Sequence, residues 1–229
     1  MHIEPGVVSS AKNVLSYATA AVAFALTAHM ARQGAHSNGG WLPLLARSVL
    51  TSALVFCFFE LLPHEPVGVS EVHLILGSTL LLLFGAGATA IGLALGLLAQ
   101  GLFFAPADLP QYGMNVTTLL VPLYLVHQLA QRIIPARTAY VDIQYSQALA
   151  LSTTYQGGIV LWVAFWALYG HGISMQTLAE VGSFGAAYMG VVLVEPLIDL
   201  GVLAGAKALQ GWTRGPLFNA RLHGVGHTA

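Results

Sequence analysis

The chain has 229 residues, of which 56% are hydrophobic and only 7% are charged. Soluble domains carry about 25% charged residues, so this chain has too few to cover a water-soluble surface. Eight Lys and Arg against nine Asp and Glu give a net charge of -1, which provides no basic surface for nucleic acid. The single Cys57 excludes a disulfide framework. The composition therefore predicts a polytopic membrane protein and excludes a soluble enzyme, a disordered chain and a nucleic-acid binder.

Seven stretches are long and apolar enough to cross a bilayer core, which needs roughly 20 helical residues. We predict spans at 14–31, 42–62, 70–86, 88–105, 115–131, 148–169 and 180–204. Only Gly85–Gly87 separates the third span from the fourth, so these two are either separate helices or a broken pair. The predicted fold is an all-α membrane helical bundle. We predict one membrane-embedded domain over residues 1–206 and a polar cytoplasmic tail over residues 207–229.

The basic residues predict that the N-terminus lies outside and the C-terminus in the cytoplasm. In that orientation only Lys12 lies outside, and the other basic residues lie inside: Arg32, Arg47, Arg132, Arg137, Lys207, Arg214 and Arg221. Acidic residues and histidines collect at the outer side, which suits a cation. Met1–Gly6 has neither a positive region nor a cleavage site, so we expect no cleavable signal peptide. The predicted location is the inner (plasma) membrane, with multiple crossings.

Small residues recur four apart at Ala21 and Ala25 and again at Gly92 and Gly96. In lipid, such spacing lets two helix backbones approach closely. Two interpretations remain open: packing inside the bundle, or a face that docks a partner membrane subunit.

Two acidic residues, Glu195 and Asp199, lie one turn apart in the seventh predicted span. One interpretation is that they cap a helix or pair with Lys207 or Arg132. The other is that they contact a coupling subunit.

Motifs of membrane-bound enzymes and of ATPases are missing from the sequence. His64–Glu65 is not followed by the second histidine of a zinc-protease motif, and the chain has neither a Gly-x-Ser-x-Gly elbow nor a P-loop. We therefore predict that the chain is not an enzyme and that any ATP-driven work is done by another chain. The enzyme alternative is a metal-dependent intramembrane hydrolase, for which Glu71 is the general base nearest to His73 in the sequence.

The N-terminus offers a chelate for a transition metal. The amine of Met1 and the amide and imidazole nitrogens of His2 can close adjacent rings on one ion, and such nitrogens suit nickel, copper or cobalt. His73, at the outer end of the third predicted span, offers a fourth nitrogen. The alternative for His73 is an imidazole that hydrogen-bonds a neighbour at a helix end.

These residues resemble a known family, the cobalt/nickel substrate-binding subunits of energy-coupling-factor transporters (CbiM/NikM type). Met1–Gly6 is similar to the family's Met-His-Ile-x-x-Gly start, Ser70–Gly77 to its histidine segment, and Gly113–Asn115 to its Gly-x-Asn loop. Two segments differ from it. Leu74–Leu76 replace a usual Pro-Thr-Gly, and Ala105–Asp108 stand where members tend to carry His-Gly-Gly.

The resemblance implies a ligand set and a mechanism. The ion would be bound by Met1, His2 and His73, while Asn115 would hold the N-terminal segment by hydrogen bonds. Ser70 would lie beside the ligands and would not be one of them. Co²⁺ or Ni²⁺ would be cargo, with no cofactor bound, and a transmembrane coupling subunit and ATPase subunits would drive uptake. The alternative from another class is a stand-alone channel or secondary transporter.

Overall fold

The computed structural model describes residue 8, residues 13–62 and residues 64–224, with His64 described by its backbone only. In these residues there are eight α-helices and one two-stranded antiparallel sheet. The helices are α1 (Val14–Ser37), α2 (Trp41–Glu60), α3 (Gly77–Phe84), α4 (Ala86–Phe103), α5 (Tyr112–Ile133), α6 (Tyr145–His171), α7 (Met175–Ala208) and α8 (Gln210–Thr213). The strands are β1 (His64–Val67) and β2 (Ser70–His73), which form a hairpin between α2 and α3.

Local sequence signals explain where the last two long helices begin. Gln144 and Gln147 form a reciprocal capping box at the start of α6, which satisfies two backbone N–H groups that a helix leaves unpaired. Ser174 caps α7 by accepting a hydrogen bond from the Thr177 N–H at 3.1 Å. Between these helices, Gly172 has φ +82°, a left-handed conformation that glycine adopts without steric cost.

The helical bundle has two distinct ends, which we call the hairpin end and the Gly85 end. At the hairpin end, Asn13 before α1 donates a hydrogen bond to the carbonyl of Pro110 before α5. At the other end, Gly85 lies near the side chains of Asn38, which ends α1, and Asn219. Between α2 and Gly85 the chain therefore returns from one end of the bundle to the other, although α3 has only eight residues.

Six of the seven predicted spans correspond to long helices, but the predicted span 70–86 is wrong in its first half. Ser70–His73 form a strand, and only Gly77–Phe84 are helical. At 1.5 Å per residue, eight helical residues extend about 12 Å, too short to cross a bilayer. Five of the described helices are long and apolar enough to cross one: α1, α2, α4, α6 and α7.

Glycines on α4 bring it against α2. A Cβ at Gly92 would lie 2.6 Å from Thr51 Cβ, and one at Gly96 would lie 2.6 Å from Val55 Cγ1. Since real Cβ atoms do not approach so closely, neither position admits a side chain without movement. For this pair the interpretation as internal packing is confirmed. The other pair, Ala21 and Ala25, lies on the exposed side of α1.

The segment after α7 folds back onto the bundle. The N–H of Tyr140 donates to the carbonyl of Arg221 at 3.0 Å, and that of Asn219 donates to Leu83 at 2.6 Å. Leu222 is completely buried. Lys207, the first residue of the predicted polar tail, forms an ion pair with Asp142 at 2.5 Å. The division of the chain at residue 207 stays a prediction.

Candidate metal site on a buried hairpin

The hairpin is short: its turn is tight, and each of its strands has four residues. Val67 pairs with Ser70 and His64 with His73. Gly68, in the turn, has φ +61° and lies against the first turns of α7. A Cβ there would come within 2.9 Å of the Glu180 carbonyl carbon and of Ser183 Oγ. The turn is thus docked directly on the α7 backbone, which places β2 inside the helical bundle.

His73 is enclosed by side chains from separate elements. Only 1% of its surface is exposed. Its backbone N–H donates to the hydroxyl oxygen of Tyr188 on α7 at 3.3 Å. The ring of Phe59, on α2, meets the imidazole edge to face with centroids 5.2 Å apart. Tyr188 thus contacts the backbone of His73 and Phe59 contacts its ring, and the buried imidazole has little room to rotate.

A carboxylate accompanies this imidazole. Glu71 and His73 are two residues apart on β2, so alternation places them on one face of the strand. Glu71 Oε2 lies 3.7 Å from His73 Nε2, beyond the usual hydrogen-bonding distance. This carboxylate could act as a metal ligand or as a proton acceptor. The sequence indicates only the second role, as the general base of an enzyme.

Of the other predicted site residues, two lie within the described part of the chain and two do not. Ser70 is fully buried on β2, and Asn115 is buried in the first turn of α5, at the hairpin end. Met1 and His2 lie outside the described residues. Val8, the one described residue before Asn13, belongs to the hydrophobic core. Residue 8 therefore lies in the bundle interior. Among the described residues, no three His, Cys, Asp or Glu side chains converge as a metal site would.

No sequence pattern indicates the contact made by Tyr188. Its hydroxyl contacts the backbone of His73 from a helix that lies 115 residues further along the chain. The sequence shows only a tyrosine in the interior of a long apolar helix, and such a residue usually indicates a core packing position.

The two acidic residues of α7 are not paired with basic side chains, so the predicted pairing with Lys207 or Arg132 is wrong. Both carboxylates are fully buried, and their partners are uncharged. These partners come from α3 and α6: Ser78, Thr79, Ser152 and Gln156. The reason is geometric, since Lys207 lies two turns beyond Asp199 and reaches Asp142 instead.

A cavity of about 990 Å³ opens at the Gly85 end. Its lining includes three arginines and three histidines, which are Arg32, Arg47, Arg221, His29, His36 and His127. Within the part of the chain that the structure describes, no Asp or Glu lines it. Three basic residues that were predicted to face the cytoplasm thus share one end of the bundle, opposite His73. Which side of the membrane that end faces stays a prediction.

Comparison with known proteins identifies a family and two solved structures that are similar to this chain. The profile of the CbiM family, described as the cobalt uptake substrate-specific transmembrane region, matches residues 2–210. One similar structure, a crystal structure of a transition metal transporter, has 16% sequence identity and a TM-score of 0.68; the alignment covers 92% of this chain and 94% of that one. A second, of a truncated transition metal transporter, has 17% identity and a TM-score of 0.65, covering 92% and 99%. No protein of curated function matches significantly.

The long apolar helices define a multi-pass helical membrane protein, and a location in the inner membrane is consistent with this fold. With a profile match over nearly its whole length, the chain belongs to the CbiM family of cobalt-uptake transmembrane regions. The family resemblance found in the sequence is confirmed. The chain is therefore a transmembrane component of metal uptake.

Proposed function

We propose that this chain captures Co²⁺ or Ni²⁺ at the hairpin end of the bundle and presents it for uptake driven by separate subunits. The observation that carries the proposal is the placement of His73, an almost fully buried imidazole on a hairpin inside the bundle. The core position of Val8 supports it, because this residue is six positions after His2 in the sequence and lies inside the same bundle.

The ligand set of the proposal is Met1, His2 and His73. The Met1 amine and the amide and imidazole of His2 supply three nitrogens in adjacent chelate rings, and the imidazole of His73 completes a nitrogen set that suits these ions. Asn115 holds the N-terminal segment by hydrogen bonds, Ser70 lies beside the ligands, and neither is a ligand. The metal is cargo, and no cofactor takes part.

Separate coupling and ATPase subunits complete the proposal. The sequence contains no P-loop, so ATP hydrolysis is assigned to another chain. On α1, Ala21 and Ala25 present a small, exposed surface, which allows close approach of a partner helix in lipid. Replacing Ala21 by Leu should prevent co-purification with the coupling subunit while leaving metal binding by the isolated chain unchanged.

The decisive experiment compares equilibrium binding of Ni²⁺ and Co²⁺ to the native protein and to a version with two residues added before Met1. The addition keeps every side chain but removes the amine from the chelate, so tight binding should be lost. His73→Ala should weaken binding as well. His29→Ala is the matched control, because His29 lines the cavity at the opposite end, and it should bind as the native chain does.

Binding that survives both the extension and His73→Ala would overturn the ligand set. A separate measurement addresses the alternative of a stand-alone channel or secondary transporter. Liposomes that contain only this chain should show no metal flux, and flux without an ATPase would reject the coupled mechanism.

A further inference from the structure

The interior of the bundle contains a second polar centre, whose residues are distinct from those of the hairpin site. Glu195 and Asp199 on α7 face α3 and α6, and each has 0% of its surface exposed. The groups around them are hydroxyls and an amide: Ser78 and Thr79 on α3, and Ser152, Tyr155 and Gln156 on α6. Among the described hydrogen bonds and ion pairs, none joins either carboxylate to a lysine, arginine or histidine.

One serine hydroxyl lies between the two carboxyl groups. Ser78 Oγ lies 3.0 Å from Glu195 Oε1 and 2.8 Å from Asp199 Oδ2. A serine hydroxyl has a single hydrogen, so it can donate to only one of these oxygens. The backbone N–H of Ser78 also donates to Glu195. An ionised carboxylate only accepts, so the second contact of the hydroxyl is a hydrogen bond only where the carboxyl group carries a hydrogen.

The remaining carboxylate oxygens already have their own donors. Thr79 donates to Asp199 Oδ1. Ser152 and Gln156 donate to Glu195 Oε2, at 2.9 Å and 2.5 Å. A hydrogen that is carried by this pair and donated to Ser78 would therefore lie on Oε1 of Glu195 or on Oδ2 of Asp199.

Two more buried polar atoms lie beside the pair. Gln156 Oε1 and Tyr155 Oη have no hydrogen-bond partner among the described residues. Gln156 is directed at Glu195 by its own amide, and the ring of Tyr155 packs against Gly77, the neighbour of Ser78. All the described partners of the two carboxyl groups are uncharged, and two ionised carboxylates without a cation would be very costly in this buried setting.

We propose that the Glu195–Asp199 pair is an interior cation site whose resident cation is a single proton. The proton is bonded to one carboxyl oxygen and donated to Ser78 Oγ, and Ser78 in turn donates to the other carboxylate. The folded chain thus carries one negative charge at this centre instead of two. When the proton leaves, the O–H bond returns its electron pair to the carboxyl oxygen and the second charge appears.

Infrared spectroscopy of the full-length protein in lipid tests the proposal. At neutral pH the native chain should show the carbonyl stretch of a protonated carboxylic acid, shifted in heavy water. Glu195→Gln and Asp199→Asn should each remove this band. Each should also stay folded, because the new amide can donate to Ser78 in place of the proton. Glu180→Gln, on the same helix but away from the pair, should leave the band unchanged.

Thermal unfolding gives a second readout. A proton that the folded state holds more tightly than the unfolded state stabilises the fold at low pH, and this stabilisation is lost as pH rises. The native midpoint should therefore fall at alkaline pH, and both amide variants should lose much of that fall.

Three results would overturn the proposal. The band is absent from the native protein at neutral pH, the band persists in both amide variants, or elemental analysis finds a stoichiometric metal ion that both amide variants lose. The last result would replace the proton by a metal ion.

Discussion

Tyr188 is the side chain through which the last long helix holds the candidate ligand His73. Replacing it with Phe keeps the ring and removes one hydrogen bond of the His73 backbone N–H. The net contribution of one hydrogen bond is about 0.5–1.5 kcal/mol. We expect Tyr188→Phe to lower the thermal midpoint and to weaken Ni²⁺ binding about 2–12-fold, if a similar free energy is lost from the bound geometry. Equilibrium binding and a thermal scan on the same preparation measure both effects.

The matched control is Tyr17→Phe on α1, because Tyr17 is 64% exposed and should tolerate the change. Unaltered binding and stability in Tyr188→Phe would show that its hydroxyl does not position His73.

Single residues also show how far sequence reasoning reached. His73 was found because an imidazole stood at the edge of an apolar stretch, and it is buried in the structure. Tyr188 was missed and Glu195 was assigned wrong partners for the same reason: both act across more than 100 residues of sequence, on His73 and on Ser78. Spacing along a chain indicates which side chains share a helix face, but not which helices become neighbours.

At the scale of elements, the hairpin depends on the glycine in its turn. At Gly68, φ is +61° and there is no room for a Cβ against α7. Gly68→Ala should cost at least about 1–2 kcal/mol from backbone strain alone. Because the clash would also push β2 away from α7, metal binding should weaken together with stability. Equilibrium Ni²⁺ binding and thermal unfolding of the variant test this.

Gly182→Ala provides the control on the other side of this contact. A Cβ at Gly182 on α7 meets nothing within 4 Å, and alanine favours a helix over glycine by about 1 kcal/mol. That variant should be as stable as the native chain or more so. A Gly68→Ala protein with native stability would show that the turn is not docked as described.

The hairpin itself could not have been predicted from hydropathy. Ser70–Phe84 read as one apolar segment, and short apolar runs do not distinguish a buried strand from a buried helix. Pro66 and Gly68 were turn signals just before it, but the strand is held in place by α7, which lies far away in the sequence. In contrast, α6 was predicted almost correctly, because its length and its boundaries are local properties.

At the scale of the molecule, the ends of the bundle define the predicted orientation. The native chain has one cysteine, so Cys57→Ala gives a background in which single cysteines report sidedness. Ile173, 85% exposed between α6 and α7, lies at the hairpin end, and Gly215 lies in open space beyond α8. In intact cells, Ile173→Cys should react with a membrane-impermeant thiol reagent.

Gly215→Cys should react only after the membrane is opened, because the positive-inside rule assigns the Gly85 end to the cytoplasm. The reverse labelling pattern would invert the orientation and would place His73 near the cytoplasm, where it could not capture an ion from outside.

The short third passage of the chain has a consequence for biogenesis. Eight residues of α3 are too few to be retained in the bilayer as an independent segment, and an open strand edge is tolerated at membrane depth only inside protein. The polar partners of α3 on α7 are synthesised 117 and 121 residues later. During synthesis, the segment between α2 and α4 therefore lacks its α7 partners until the last crossing has been made. The binding hairpin is completed at the end of assembly, so a chain truncated before α7 would leave the ribosome without a finished interior.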